Sequence, residues 1–304
     1  RHAYLFAGPP GVGRRSLALR FAQAVNCLQP PQPGEPCGAC RPCQQIGRMQ
    51  HPDLSVVQAE TEGGTLKVEQ VRGLQKSLAL APYEAAYRVA LLLRFEEANP
   101  NAQNALLKTL EEPNPRVILL LSADSPEHLL PTIASRCEVL RLRPVRLDAL
   151  SEALHTRWGL EPDRARLLAH LSAGRPGLAR KLADDNGSLE KRQGWIEDLV
   201  RLLKSSRRER FAFAENFAKD KEQLRLALQT WLTFWRDLLL CAGGSDSPLV
   251  NIDWQSDARR IAARLDIATA RANLSALETA ITRLDANVNP RLLVEVLLLD
   301  WPII

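Results

Sequence analysis

Gly8-Pro9-Pro10-Gly11-Val12-Gly13-Arg14-Arg15-Ser16 follows the apolar run Tyr4-Leu5-Phe6-Ala7 and opens a helix whose apolar positions are Leu17, Leu19, Phe21, Ala22 and Val25. Strand, glycine-rich loop and helix in that order is the setting of a phosphate-binding loop. In a working loop the glycines let backbone N–H groups wrap the phosphates, a lysine reaches the terminal phosphates, and the next Ser or Thr holds magnesium. Gly8, Gly11 and Gly13 are in place here, but Arg14 stands at the lysine position and Arg15 at the hydroxyl position. A guanidinium is a planar fork rather than a compact point charge, and a cationic Arg15 repels the metal it should hold. Ser16 does not rescue the site, because one residue along a helix turns a side chain by about 100° and advances it by ~1.5 Å. The loop is expected to survive as architecture, with no nucleotide cofactor.

The remaining composition is that of an ordinary globular chain. At 304 residues, 45% hydrophobic and 25% charged, the chain can build two or three domains with ample core. No run approaches the ~18 apolar residues of a membrane span, and no signal pattern opens the chain, so a cytoplasmic protein without a membrane partner is expected. The chain starts at Arg1 and enters a strand almost at once, which reads as a fragment lacking its natural start. The net charge of +5 is compatible with a nucleic-acid neighbour, yet no Lys/Arg block dominates, and a solvated basic surface accounts for it equally well.

After the first helix, which is expected to end near Cys27, comes a proline-rich stretch over 28–36 and then Cys37-Gly-Ala-Cys40-Arg-Pro-Cys43, an insertion built around cysteines. Leu54–Val57, Val89–Leu93, Val117–Leu121 and Cys137–Leu142 read as further strands. Between them, helical patterns run through Val68, Val71, Leu74 and Leu78 and over 101–112, where Pro113 stops the second. Alternation of strand and helix over about 140 residues predicts an α/β domain with a parallel sheet covered on both faces. From Pro144 strand signals largely stop. The predicted organisation is an α/β domain over 1–143 carrying the insertion at 27–43, a small helical unit over 144–187, and a larger helical region over 188–304. Trp231, Phe234, Trp235 and Leu238 fall on one helical face, and that stripe serves either as bundle core or as a partner surface.

Four of the six cysteines, Cys27, Cys37, Cys40 and Cys43, have nine, two and two residues between them. Thiolates two residues apart can turn back onto one tetrahedral ion, and a ligand from the preceding helix end completes the shell. A structural zinc is expected; disulfides are disfavoured in an intracellular-looking chain. Cys137 and Cys241 read as small buried apolar residues. An ATPase would need an acid pair at the tip of the strand 89–93, to orient magnesium and polarise water. Arg94 and Phe95 stand there instead, with Glu96 and Glu97 following, and spacing alone leaves open a shifted reading that uses those two.

Asn104-Ala-Leu-Leu-Lys-Thr-Leu-Glu-Glu-Pro113, with Ser135-Arg136-Cys137 downstream and the four-cysteine insertion upstream, resembles the clamp-loader branch of the AAA+ superfamily. The altered nucleotide motifs look most like those of the delta-prime-type subunits of bacterial DNA polymerase III, whose gamma/tau relatives keep the lysine and the acids. Counting back from Asn104 then puts Arg94 and Phe95 on the family's acid positions, and Gly177 stands where ATP-binding members carry a sensor arginine. The resemblance implies an AAA+ domain, a helical lid and a C-terminal collar. It also implies assembly with gamma/tau and delta subunits into a hetero-pentamer that places the sliding clamp on primed DNA for the polymerase holoenzyme. For Arg136 it implies a catalytic role in trans, as an arginine finger at a neighbouring ATP site, in a subunit that hydrolyses no ATP itself. Two alternatives stand beside it: a gamma/tau-like ATPase with displaced motifs, and a zinc-dependent DNA-binding protein that works alone.

Overall fold

Five parallel strands form one sheet in the order β2-β3-β4-β1-β5: β1 Ala3–Ala7, β2 Leu54–Val57, β3 Arg88–Leu92, β4 Val117–Ala123 and β5 Glu138–Arg141. The structure is a computed structural model and describes residues 1–61 and 63–304. The chain divides into two compact units, one of Arg1–Val145 with Arg175–Gly177, the other of Arg146–Gly174 with Leu178–Ile304. The sheet belongs to the first.

Strand residues point alternately to the two faces of a sheet, and the two cores sort accordingly. Leu5, Ala90, Leu92, Leu119 and Leu121 pack on one side with α3 (Val68–Leu78) and α4 (Pro100–Glu111). Phe6, Val89, Leu91, Ile118 and Leu120 pack on the other with α1 (Arg14–Val25) and α2 (Arg41–Gly47). Every residue of β3 and β4 is buried, as continuous apolar runs in a parallel sheet require. α2 begins inside the cysteine insertion, continues past its end and was not expected. Pro42 reads as a breaker, but it occupies the first turn of the helix, where a missing N–H costs nothing.

The turn before β2 contains a buried anchor. The Asp53 side chain is wholly buried, and its oxygens accept the N–H groups of Tyr83, Glu84 and Ala85 at 2.7, 2.9 and 2.9 Å and a bond from Arg88 at 3.1 Å. Burial pushes its pKa up, but the three N–H groups and Arg88 outweigh burial and hold it below the usual aspartate value. Removing one partner of a buried pair leaves the other uncompensated, so Asp53→Ala is expected to destabilise this unit by about 3–5 kcal/mol in urea unfolding. The sign for acid follows from the depressed pKa. The contribution is complete above about pH 4, where unfolded aspartate is ionised, and fades as pH falls through the lower folded-state value. The variant should therefore lose stability less steeply than the wild type below that pH.

In the second unit α6 (Leu147–Trp158), α7 (Pro162–Leu171) and α8 (Pro176–Asp184) share a small core around Leu150, Leu154, Leu168 and Ala179. The helices α9 (Asn186–Leu202), α10 (Arg207–Phe217), α11 (Lys221–Ala242), α12 (Gln255–Ala262), α13 (Ile267–Asp285) and α14 (Pro290–Leu299) share a larger one. Trp231, Phe234, Trp235 and Leu238 are all fully buried there, which assigns the aromatic stripe to the core. Trp231 stacks on Phe217 at 5.1 Å and meets the edge of Trp301 at 5.1 Å. Buried Arg210 donates to the carbonyls of Leu202, Leu298, Trp301 and Pro302, which ties the C-terminal segment to the bundle. Among the described residues no helix is long and apolar enough to cross a membrane. A parallel-sheet α/β domain, a small helical group and an all-helical C-terminal region follow one another along the chain, the order of parts that the resemblance implies.

Candidate functional site

The loop between β1 and α1 keeps its form. Gly8 has a positive φ of 155°, and a Cβ there would lie 2.5 Å from the carbonyl oxygen of Leu142, so no other residue fits without moving that backbone. Gly13, also at positive φ, caps α1, whose first turn carries no acidic residue. The loop opens on a cleft of about 260 Å³, lined among others by Gly11, Arg14, Ser16, Arg94, Ser122 and Gly177. That volume lies below the range of ~300–1,000 Å³ usual for small-molecule sites.

Arg14 is largely buried and its charge is already answered. Nη1 lies 2.6 Å from Asp124 Oδ1 and 3.7 Å from Glu96 Oε1. The N–H directions miss both oxygens, so these are charge contacts rather than hydrogen bonds. Burial raises the pKa of Glu96, and the neighbouring Asp124 charge raises it further while Arg14 lowers it. Arg15 donates to Met49 Sδ at 3.3 Å. Gly177 packs its backbone on the loop, donating its N–H to the Gly11 carbonyl at 2.8 Å. A Cβ at 177 would stand 3.0 Å from that oxygen, so a longer side chain requires the loop to give.

Arg94 and Phe95 follow Leu93 just beyond the end of β3. β3 stops at Leu92, and Arg94 takes the left-handed conformation at φ 48° and ψ 55°, which turns the chain away from the strand direction. Its N–H donates to Ser122 Oγ at 3.0 Å and its Nε to Glu97 Oε1 at 2.8 Å. Phe95 is fully buried in the core. Glu96 and Glu97 sit in the short turn Phe95–Glu97 and are committed through Oε1, Glu96 accepting from Asp124 N at 3.3 Å and Glu97 from Gly63 N at 2.9 Å. Their second oxygens are buried without a hydrogen-bond partner among the described residues. The carboxylates of Asp124 and Glu96 as counter-ions of Arg14 had no signal in the sequence.

The four cysteines converge. Sγ of Cys27, Cys37, Cys40 and Cys43 all lie within 4.8 Å of one another, and none is in a disulfide. A tetrahedral ion with bonds of ~2.3 Å sets its sulfurs ~3.8 Å apart, so the cluster needs only a small contraction to hold one. Backbone N–H groups already point at the sulfurs, from Cys37 to Cys27 and from Cys40 to Cys37, each at 3.3 Å. N–H groups of Cys40 and Ala39 hold the Cys37 thiol down at about 6, while burial pushes Cys43 up to about 12. Gln23 of α1 donates to the Cys43 carbonyl at 2.6 Å, and Asn26 brackets Tyr87 through its N–H and carbonyl, which fixes the insertion to the domain. Burial likewise pushes Cys137 up to about 12, as befits a core thiol.

Arg136 follows the short helix α5 (Pro131–Ala134). It is about a third exposed, donates from Nη1 to the Thr132 carbonyl at 2.9 Å and places Nη2 2.6 Å from Glu111 Oε1.

Residues 1–146 match the family described as DNA polymerase III, delta subunit, and residues 186–302 match DNA polymerase III, delta subunit, C terminal. The chain is similar to DNA polymerase III subunit delta' of Bacillus subtilis, with 31% identity over 302 residues, 98% of this chain and 90% of that protein. Its similarity to subunit delta' of Pseudomonas aeruginosa reaches 40% identity over 210 residues, 67% of this chain and 62% of that one. Subunit tau of Bacillus subtilis is 36% identical over 149 residues, 49% of this chain and 26% of its own length. The chain therefore belongs to the DNA polymerase III subunit delta' family.

Proposed function

We propose that this protein is a non-hydrolysing subunit of the bacterial DNA polymerase III clamp loader. It assembles with gamma/tau and delta subunits in a cytoplasmic hetero-pentamer and helps place the sliding clamp on primed DNA. The lid spans 144–187 and the collar 188–304, a division near which the small core, reaching Leu189, gives way to the larger one, starting at Trp195. Arg136 acts as an arginine finger on the ATP of a neighbouring subunit, and a zinc ion on Cys27, Cys37, Cys40 and Cys43 is structural, since four thiolates leave no position for water.

The observation that carries the reading is the state of Arg14. A lysine in a phosphate loop must offer its charge to phosphate, whereas this arginine stands 2.6 Å from Asp124 and 3.7 Å from Glu96. Nucleotide binding through Arg14 would have to break that clasp. Titration calorimetry of the isolated protein is expected to give no heat with millimolar Mg-ATP, and no phosphate release above the solution rate. Micromolar affinity with turnover would favour the gamma/tau-like ATPase.

A further inference from the structure

The contacts of Arg136 point to a second residue. Glu111 is the last residue of α4, where the exposed carbonyl ends of the helix carry partial negative charge. Glu112 follows directly, and Lys108 is the only basic residue in the last turn. Two carboxylates in that position are unfavourable unless a cation answers them. Arg136 does so from outside the helix, at 2.6 Å from Glu111.

Stability alone gives little reason for the pair, because both side chains are more than a third exposed and exposed ion pairs contribute little. Geometry gives a better one. Arginine has a long side chain with much rotamer freedom to lose when it is ordered, and its fork is useful only when aimed. Here the Thr132 carbonyl accepts a hydrogen bond from Nη1, and the Glu111 carboxylate, 2.6 Å from Nη2 but off its N–H directions, holds the other end by charge. Each terminal nitrogen of a guanidinium carries a second N–H, so the fork stays able to donate outward while its orientation is fixed.

We infer that Glu111 is a positioning residue, which holds the Arg136 fork in the orientation used at the neighbouring site; the inference rests on the finger reading of Arg136. Glu111 touches no nucleotide. Its removal leaves the charge on Arg136 intact and makes the ordering of that side chain part of the chemical step.

The test uses the complete loader, reconstituted with gamma/tau and delta subunits, clamp and primed DNA. Glu111→Ala is expected to lower the single-turnover rate of DNA-stimulated ATP hydrolysis at the site that Arg136 faces by about three- to tenfold with the dependence on ATP concentration unchanged, the pattern of an interaction made only in the transition state. Glu111→Gln, which keeps an acceptor of the same reach, should regain part of the loss. The double variant Glu111→Ala/Arg136→Ala should be no slower than Arg136→Ala alone, because two residues acting through one contact do not add. A normal single-turnover rate for Glu111→Ala beside a slow Arg136→Ala would overturn the positioning role and leave the finger standing. Additive losses in the double variant would also overturn it, by showing a general structural effect. A wild-type rate for Arg136→Ala would instead remove the finger reading itself.

Discussion

A loader rebuilt with Arg136→Ala should assemble normally, keep its metal and melt within about 1 kcal/mol of wild type, yet lose hydrolysis at the site it faces by a factor on the order of 10³. Two magnitudes separate the local and the functional reading. As a surface arginine, Arg136 has a carboxylate 2.6 Å away and a backbone acceptor at 2.9 Å, and truncation forfeits only a solvent-screened pair. As a finger, it puts a fixed cation on the charge that spreads over the transferring phosphoryl group, an effect of ~10³ to 10⁵ in rate. The total rate of the loader falls by less, to the extent that other sites use arginines of their own, so single-turnover clamp loading is the sharper measurement. Lysine at 136 should rescue poorly, since it keeps the charge and loses the fork that Glu111 and Thr132 orient. Clamp loading by Arg136→Ala at the wild-type rate would reduce the residue to its local contacts.

The elements of the first unit were legible because burial writes itself into the sequence in simple periods. β3 and β4 are covered on both faces, so 89–93 and 117–121 appear as unbroken apolar runs, and the helix over 100–111 announces itself by its stop at Pro113. The cysteines were legible for a different reason, since their short spacings restrict which sulfurs can meet. What could not be read is everything that depends on strand order. Ala7 pairs with Ala123 across the β1–β4 ladder, which puts the loop after β1 beside Asp124 and so delivers a carboxylate to Arg14 from far along the chain. The Gly177 contact with Gly11 is equally remote. Spacing left Glu96 and Glu97 open as displaced acids, because nothing in the sequence reveals that Arg94 adopts a left-handed turn and sends both into charge pairs and loop contacts. Asp53 stands in a turn, and only the fold brings Tyr83, Glu84, Ala85 and Arg88 to it.

Cys40→Ser offers the cleanest measure of the metal, because the local helix should welcome the change. Cys40 is the N-cap of α2, at φ −66° and ψ 157°, and its side chain caps nothing. Serine is among the preferred N-cap residues, so the substitution favours the helix while it deletes one sulfur of the four. Any loss of stability then belongs to the ion rather than to α2. Wild-type protein is expected to carry one zinc per chain by metal analysis, and Cys40→Ser to lose most of it. Binding requires all four thiols to give up their protons, and burial resists this most at Cys43, so zinc should be released as pH falls and regained as it rises. The consequence should reach beyond the insertion. Asn26 holds Tyr87, and Arg41 lies 3.7 Å from Glu84, so the segment before β3 leans on the same module. Hydrogen exchange after chelation should rise first at 37–47 and then at 83–87, with β4 unchanged until global unfolding. Full zinc content in Cys40→Ser, or a native protein that melts identically with and without chelator, would remove the metal from the account.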